Sequence, residues 1–586
     1  MLESLELDTV EPYRDLAYEW AAGTARFAVR ADEPSNTRIV DLGAVAPDHD
    51  GMVRFRADVR LLRPTSGGSE RALVVVPNRG MLGGLPFSLD VPLMMPTAGA
   101  PEPGDGFLLD RGWTIAWCGW QWDVVREGGG LGLEAPLATV EPGVMRVEFR
   151  PDVDEPSHGL GDSSFLFHFA HYPTVDVADP EATLSVRTAP LGQKETVPRK
   201  RWRFVDETHF EIDGGFRAFH WYELVYRSAI APVVGTGLLA FRDFASSLRD
   251  THNFVFATGR SQSGRFLRQL LFDGLNVDER GNQVFDGVFA HIASARRGEF
   301  NCRYGQPALT HPLTPGYGPP YDSAGLLERQ RALGGAPKVF FANSSWEYWR
   351  GDGALVHQDP HTGTDLPEDP DVRSFHVAGT DHFGKVPIKE SLPLANPVHL
   401  LDPEPILRAL FVQLEQWVCE GVEPSPSQVP RQVDGTAVTR AEALRSFHDV
   451  ALPDPESLPF TPAIDPDSTT WPLELGDPMV ALVSAVDAGG NEVAGIRLPA
   501  VAAPVAAYTG WNPRAHREGL PDVLYEFAGS RLPLQTGSPT SDRADYEREV
   551  RRVAGELVAA RFLIEPDAER TVAEALALYD WAGPIE

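Results

Sequence analysis

Cysteine is scarce in this chain: Cys118, Cys302 and Cys419 are the only three in 586 residues, and they lie far apart. A set so small, odd and scattered makes neither a disulfide framework nor a CxxC metal site. Long apolar runs are missing as well; no stretch of ~18 such residues occurs, which argues against a membrane span. Positive charge is short, with 52 Lys and Arg against 83 Asp and Glu and a formal net charge of −31. That balance argues against nucleic acid and anionic membrane as partners and favours solubility. The opening residues, MLESLELDTVEPYRDLAYEW, contain no basic segment followed by an apolar one. No signal peptide is therefore visible, and a cytoplasmic location is expected. There is no G-x-G-x-x-G opening a helix after a strand and no Walker-type loop, so no nucleotide or flavin cofactor is implied.

What is present is the composition of a globular protein, 42% hydrophobic and 23% charged. The chain is too long for one ordinary core, so a main domain with insertions or appended parts is expected. Its 51 prolines and 54 glycines imply many turns. Residues 1–70 alternate in strand fashion and form a β-rich extension. A continuous apolar run, Ala72 to Val76, and a second from Thr114 to Cys118 have the pattern of strands buried on both faces of a parallel sheet. Between 123 and 222, segments such as VMRVEFRP, ATLSVRTA and KRWRFVDETHFEID read as antiparallel strands without helices, a β-rich insertion placed to act as a lid or pocket wall.

Strands and helices then alternate. Leu238, Leu239, Phe241, Phe244 and Leu248 share one helical face; NFVFAT, FDGVFAHIAS, PKVFFANSS and DVRSFHVAGT read as strands; SGRFLRQLLFDG and PEPILRALFVQLEQWV read as helices. This order predicts βαβ units around a mostly parallel sheet, with a core of 71–122 and 223–420. Residues 421–586 form a C-terminal region whose last helix carries Tyr546, Val550, Val553 and Leu557 at helical spacing and packs on the core.

One stretch carries chemistry: FVFATGRSQSGRFLRQLL, Phe254 to Leu271. A serine hydroxyl attacks only when a base removes its proton and donors stabilise the oxyanion. A nucleophile elbow meets both needs by lifting serine out of a tight strand-to-helix turn, with the next N–H facing the developing charge. Such a turn demands small residues two positions either side. Ser261 satisfies this with Gly259 and Ser263, whereas Ser263 would be flanked by Ser261 and Arg265, so Ser261 is the candidate nucleophile. Partners are expected in the order serine, acid, histidine, past later strands. Glu347, in SSWEYWRGDG, and His382, in GTDHFG, both lie a few residues past a strand end, where ligand groups collect in open α/β sheets. Asp352, Asp359 and Asp365 are rival acids further from the strand end.

The backbone N–H of Gln262, with that of Arg79 or Gly80 in VPNRGMLGG, would form the oxyanion hole. Trp120 and Trp122 are candidates to line the pocket, against ordinary packing. Arg296 and Arg297 are weighed as carboxylate binders against internal ion pairs, the latter favoured. The pairs His168/His171 and His357/His361 lack further ligands at diagnostic spacing, so no metal is assigned.

With GRSQSGRFLRQLLFDGLN and FDGVFAHIASARRGEFNCRYGQP in hand, the chain resembles a branch of large, mainly bacterial α/β-hydrolase domain proteins. The resemblance extends to VPNRG, RGWTIAWCGWQWD, SSWEYWRGDGALVHQDP, VAGTDHFG and YTGWNPR, and so covers most of the length. It implies an α/β-hydrolase fold, a mostly parallel central sheet flanked by helices, and a serine hydrolase triad carried onto Ser261, Glu347 and His382. Similar proteins often have an aromatic residue where Arg260 stands, which makes Arg260 a candidate pocket contact.

The expectation is a carboxylic ester or lactone hydrolase without a cofactor, acting on a small-molecule ester through an acyl-enzyme. An acyltransferase or amidase on the same triad, or a non-catalytic binding protein with a hydrolase core, are the alternatives. The sequence leaves the oligomeric state open.

Overall fold

The computed structural model describes residues 1–89, 91, 99–126, 129–161, 169–189, 192–308, 322–464, 476–520, 522–536 and 542–582. Its backbone is a ten-stranded mixed sheet. The strands are β1 (Leu2–Pro12), β2 (Tyr18–Val29), β3 (Val53–Pro64), β4 (Arg71–Val75), β5 (Thr114–Cys118), β6 (Phe254–Arg260), β7 (Gly287–His291), β8 (Lys338–Ser344) and β9 (Val372–Val377). They lie in the order β1-β2-β3-β5-β4-β6-β7-β8-β9, and the two-residue strand Leu133–Glu134 also pairs with β3.

The first three strands are antiparallel, and from β5 to β9 every neighbour is parallel. The first 64 residues thus extend the same sheet rather than forming a body of their own. Burial follows the pairing. In β3, Val53, Phe55, Ala57, Val59 and Leu61 point inward between half-exposed Arg54, Arg56, Asp58 and Arg60, the period-two pattern of a sheet with one wet face. In β5, β7 and β9 every residue is buried, because helices cover both faces.

Those helices are α1 (Thr236–Leu248), α2 (Gln262–Phe272), a short α3 (Ser345–Arg350), α4 (Glu404–Glu420), α5 (Arg543–Ala559) and α6 (Ala568–Ala582). Leu238, Phe241 and Phe244 of α1 and Phe266, Leu267 and Leu270 of α2 pack with Val74, Ala116, Val255 and Ala257 on one face. On the other, α4, α5 and α6 cover Leu73, Ile115, Phe256, Phe289 and Phe340. Adjacent strand residues such as Leu73 and Val74 feed opposite layers, which is the three-layer arrangement of an α/β fold. Phe411 of α4 sits at the centre of the second layer, stacked on Phe87 at 4.3 Å and within 5.3 Å of Trp113. Among the described residues no helix is long and apolar enough to cross a membrane.

Between β5 and α1, Gly143–Phe149, Thr183–Arg187, Glu195–Val197 and Trp221–Ser228 form a four-stranded antiparallel sheet. Glu155–Gly159, Trp202–Phe204 and His209–Phe216 form a three-stranded one. Phe149, His158, Phe210, Phe216 and Tyr222 build the aromatic core beneath them. Arg150 and Arg514 both pair with Glu526, which bolts this region to the C-terminal segment.

Phe411→Ala should remove the centre of the aromatic layer and lower stability by about 3–5 kcal/mol. The urea midpoint reads this, and a loss below about 1 kcal/mol would show that the layer is not held by this ring.

Candidate active site

Ser261 lies between the end of β6 and the start of α2, at φ 59° and ψ −117°. That is a region which residues other than glycine enter only under strain, of order 1–3 kcal/mol. The turn is held from both sides: Ser261 N–H donates to His291 O at 2.8 Å, and its carbonyl accepts from Arg265 N–H at 3.0 Å. Tightness here has an atomic meaning. A Cβ on Gly259 would lie 2.6 Å from the backbone of Ser263, and one on Gly264 would lie 2.9 Å from Ala293 Cβ. Ser263 stands where a glycine is usual in such turns and is fully buried.

One side chain reaches the Ser261 hydroxyl and is itself held by a carboxylate. His382, in the loop after β9, has Nε2 3.0 Å from Ser261 Oγ and Nδ1 2.6 Å from Glu347 Oε1. Glu347 is the third residue of α3, in a capping box: its Oε2 accepts from Ser344 N–H at 3.0 Å and from Ser344 Oγ at 2.5 Å. The local sequence SSWE therefore both starts the helix and orients the carboxylate. With a carboxylate on one side, Nδ1 carries the proton and Nε2 accepts from the serine hydroxyl.

Burial, followed by the guanidinium groups of Arg350, Arg260 and Arg265, holds His382 well below the ordinary histidine range. Burial pushes Glu347 up to about 7, against the pull of Arg350 and Ser344. Both effects disfavour charge on the two groups.

The rival acids are committed elsewhere. Asp352 is gripped by Arg350 at 2.6 and 3.0 Å and accepts from Arg296 N–H at 3.2 Å. Asp359 closes its own turn through His361 and Thr362, and Asp365 accepts from Gln432 and Val433 N–H.

Around Gln262 the structure is more specific than the sequence pattern. Arg79 and Gly80 have φ of 52° and 78°, and Met81 N–H donates to Asn78 O at 3.0 Å, the signature of a type I′ turn. Asn78 Nδ2 ties this turn to Arg260 O at 3.0 Å. The Arg79 N–H, however, donates to Gln262 Oε1 at 3.1 Å. This corrects the expectation that Arg79 N–H is available to an oxyanion: its proton is already spent on holding Gln262.

Trp120 departs from the pocket reading too. Trp120 is 2% exposed, packs on Phe266 and Phe300, and donates to Pro77 O at 2.8 Å. It is core, because its indole fills the gap between sheet and α2. Trp122 packs on Tyr172 at 4.7 Å and donates to Gly305 O at 3.0 Å, joining the β-rich region to the segment that accepts from Gln262 at Pro307. Arg260 pairs with Glu404 at 3.2 Å and donates to His382 O at 2.9 Å, so it braces the histidine loop.

Arg296 and Arg297 lie in the loop after β7, with Arg297 over the Phe272 ring. His357 is half-buried with Nε2 3.0 Å from Tyr348 Oη, and desolvation pushes it down to about 3. His171 is 3.1 Å from Gln306 Nε2, while His168 lies outside the described residues. Among the described residues, no three His, Cys, Asp or Glu side chains are placed to share a metal ion.

A supporting layer escaped the sequence reading. Asp381 is completely buried beside the histidine and accepts from Lys389 Nζ at 2.7 Å, Gly384 N–H at 2.8 Å and Gly529 N–H at 2.9 Å. Glu492 accepts from Ser345 Oγ, His376 Nε2 and Gly379 N–H, at 2.5, 2.9 and 2.7 Å. The Phe527 ring lies 4.5 Å from the His382 ring. Glu492, Phe527 and Gly529 come from the C-terminal region more than a hundred residues away, and no local signal marks them.

These features define an α/β-hydrolase. Residues 235–573, more than half of the chain, match the family described as alpha/beta hydrolase domain, and the chain belongs to it. No curated protein sequence matches the chain. Among solved structures it is similar to a glucuronoyl esterase from Solibacter usitatus, at 13% identity over 64% of this chain and 80% of that one, with a TM-score of 0.26. A brefeldin A esterase, titled a bacterial homologue of human hormone sensitive lipase, is similar at 10% identity over 58% and 64%, with a TM-score of 0.19.

Strain at Ser261 is measurable. Ser261→Gly should be more stable than Ser261→Ala by about 1 kcal/mol, because only glycine adopts φ 59° without a Cβ penalty. Equal denaturation midpoints would show that the turn stores no strain.

Proposed function

We propose that the protein is a serine hydrolase that cleaves a carboxylic ester or lactone through an acyl-enzyme. The observation that carries this reading is the hydrogen-bonded chain from Ser261 Oγ through His382 to Glu347, 3.0 and 2.6 Å long, at a strained strand-to-helix turn. In the first step Ser261 Oγ bonds to the ester carbonyl carbon while its proton passes to His382 Nε2. The carbonyl oxygen becomes an oxyanion. Gln262 opens α2, so its N–H has no acceptor within the helix and faces this charge with the helix dipole behind it. With Arg79 N–H engaged by the Gln262 side chain, Gly80 N–H is the second donor.

The tetrahedral adduct collapses when the C–O bond to the alcohol breaks and His382 returns its proton to that oxygen. Water then gives a proton to the same nitrogen and attacks the acyl carbon; Ser261 leaves with the proton and the acid is released. Glu347 keeps the imidazole in register and stabilises its cation in both halves. The region 123–222, joined through Tyr172 to Gly305, serves as a wall beside the pocket.

A fluorophosphonate should label the wild-type protein on Ser261, and Ser261→Ala should neither label nor hydrolyse p-nitrophenyl esters above background. A modified peptide elsewhere would remove Ser261 from the role. Glu347→Gln should lower kcat by about 10²–10⁴; a wild-type rate would exclude that carboxylate.

The pH profile has a definite sign. Nearby guanidinium groups oppose protonation of His382, and the low-pH limb of kcat/KM reports that protonation. Arg260→Met should therefore move the limb to higher pH. A shift in the opposite sense would mean that the limb belongs to another group.

A further inference from the structure

Although the chain carries a formal charge of −31, four guanidinium groups gather at the edge of the sheet where Ser261 stands. Arg265 belongs to α2, Arg79 to the turn after β4, Arg296 to the loop after β7, and Arg350 to the end of α3. Arg350, Arg296 and Arg79 are all close enough to Arg265 to act on its charge, and Asp352 is the nearby acid. That acid is already held by both arms of Arg350 and by Arg296 N–H. Arg79 donates to Ala308 O and Asn78 Oδ1.

Arg265 differs. Half-buried, its guanidinium has neither a hydrogen bond nor an ion pair among the described residues. It lies one helical turn beyond Ser261 on a helix whose side chains lean toward its N-terminus, and its charge reaches His382. A withdrawn guanidinium carries five donors and keeps its charge, and proteins pair such groups. Here burial and three like charges press on it instead.

We propose that the substrate is an ester bearing a free carboxylate, which docks on the Arg265 guanidinium beside Ser261. The inference rests on the reading of Ser261 as the nucleophile, and it names the substrate class for that site. A guanidinium presents a planar fork that matches a carboxylate in two parallel hydrogen bonds. The arginines behind it supply a positive field that a neutral acyl or alcohol group would leave uncompensated.

The test uses two pairs of esters of equal length. Monomethyl glutarate and methyl 4-carbamoylbutyrate differ at the end of the acyl chain; carboxymethyl and carbamoylmethyl butyrate differ on the alcohol. In at least one pair the carboxylate ester should have the higher kcat/KM by about tenfold or more. The pair that responds places the charge on the acyl or the alcohol side. Arg265→Met should bring that ratio close to one, and Arg265→Lys should keep a reduced preference. Ratios near one for both pairs in the wild type would overturn the proposal. So would an Arg265→Met variant that slows both members of a pair equally, which is the behaviour of an oxyanion donor.

A binding arm separates the two readings. Ser261→Ala should bind glutarate more tightly than glutaramide by calorimetry, and Arg265→Met in that background should abolish the difference. Glutarate preference without turnover of any ester would uphold the anion site and sink the hydrolase reading. Turnover without either preference would do the reverse, and the absence of both would overturn both.

Discussion

Everything at this site depends on a turn that cannot relax. Ser261 is held at a positive φ because the strand before it and the helix after it are both buried, and neither can shift without opening a core layer. The close approaches at Gly259 and Gly264 leave no room for a wider path. Strain of this kind persists only where the surrounding structure over-determines the backbone. Here that structure is the parallel sheet itself, whose β4, β6 and β7 ends bring the Asn78 turn, the serine and the His291 carbonyl into one place.

The second organising fact is electrostatic. Burial works against charge on His382, and the surrounding guanidinium groups work in the same direction. A histidine kept neutral in this way is ready to accept a proton, and Glu347 is in contact to stabilise the cation once it forms. Two of the arginines that act on the imidazole, Arg350 and Arg265, also belong to the group of guanidinium groups around Arg265. One arrangement thus shapes both the base and the field that a substrate meets, and it contrasts with the acidic surface that the net charge implies.

Support for the histidine loop comes from far along the chain. Asp381 and Lys389 form a buried ion pair beside it, Gly529 donates into the same carboxylate, and Glu492 ties Ser345 after β8 to Gly379 after β9. Buried ion pairs of this sort define geometry more than they add stability, since desolvation offsets much of their attraction. The C-terminal region is therefore part of the site as well as a cover for the sheet.

Much of this could be read in advance. Apolar runs at 72–76, 114–118 and around 254, 287, 338 and 372 identify the parallel strands, because a strand buried on both faces tolerates few polar residues. Small residues around Ser261, and the placement of Glu347 and His382 past strand ends, singled out the three side chains that the fold brings into hydrogen-bond contact. These are local patterns, set by backbone sterics and by alternation of burial, and local patterns survive in sequence. Contacts between distant segments do not. Whether Trp120 lines a pocket or fills the core, and whether the Arg79 N–H is available or engaged by Gln262, depend on distances across chain separations of tens to hundreds of residues. The joining of β1–β3 to the main sheet, the reach of Glu492 and Gly529 into the site, and the lack of a partner for Arg265 among the described residues are likewise decided in three dimensions, where packing alone determines which groups meet.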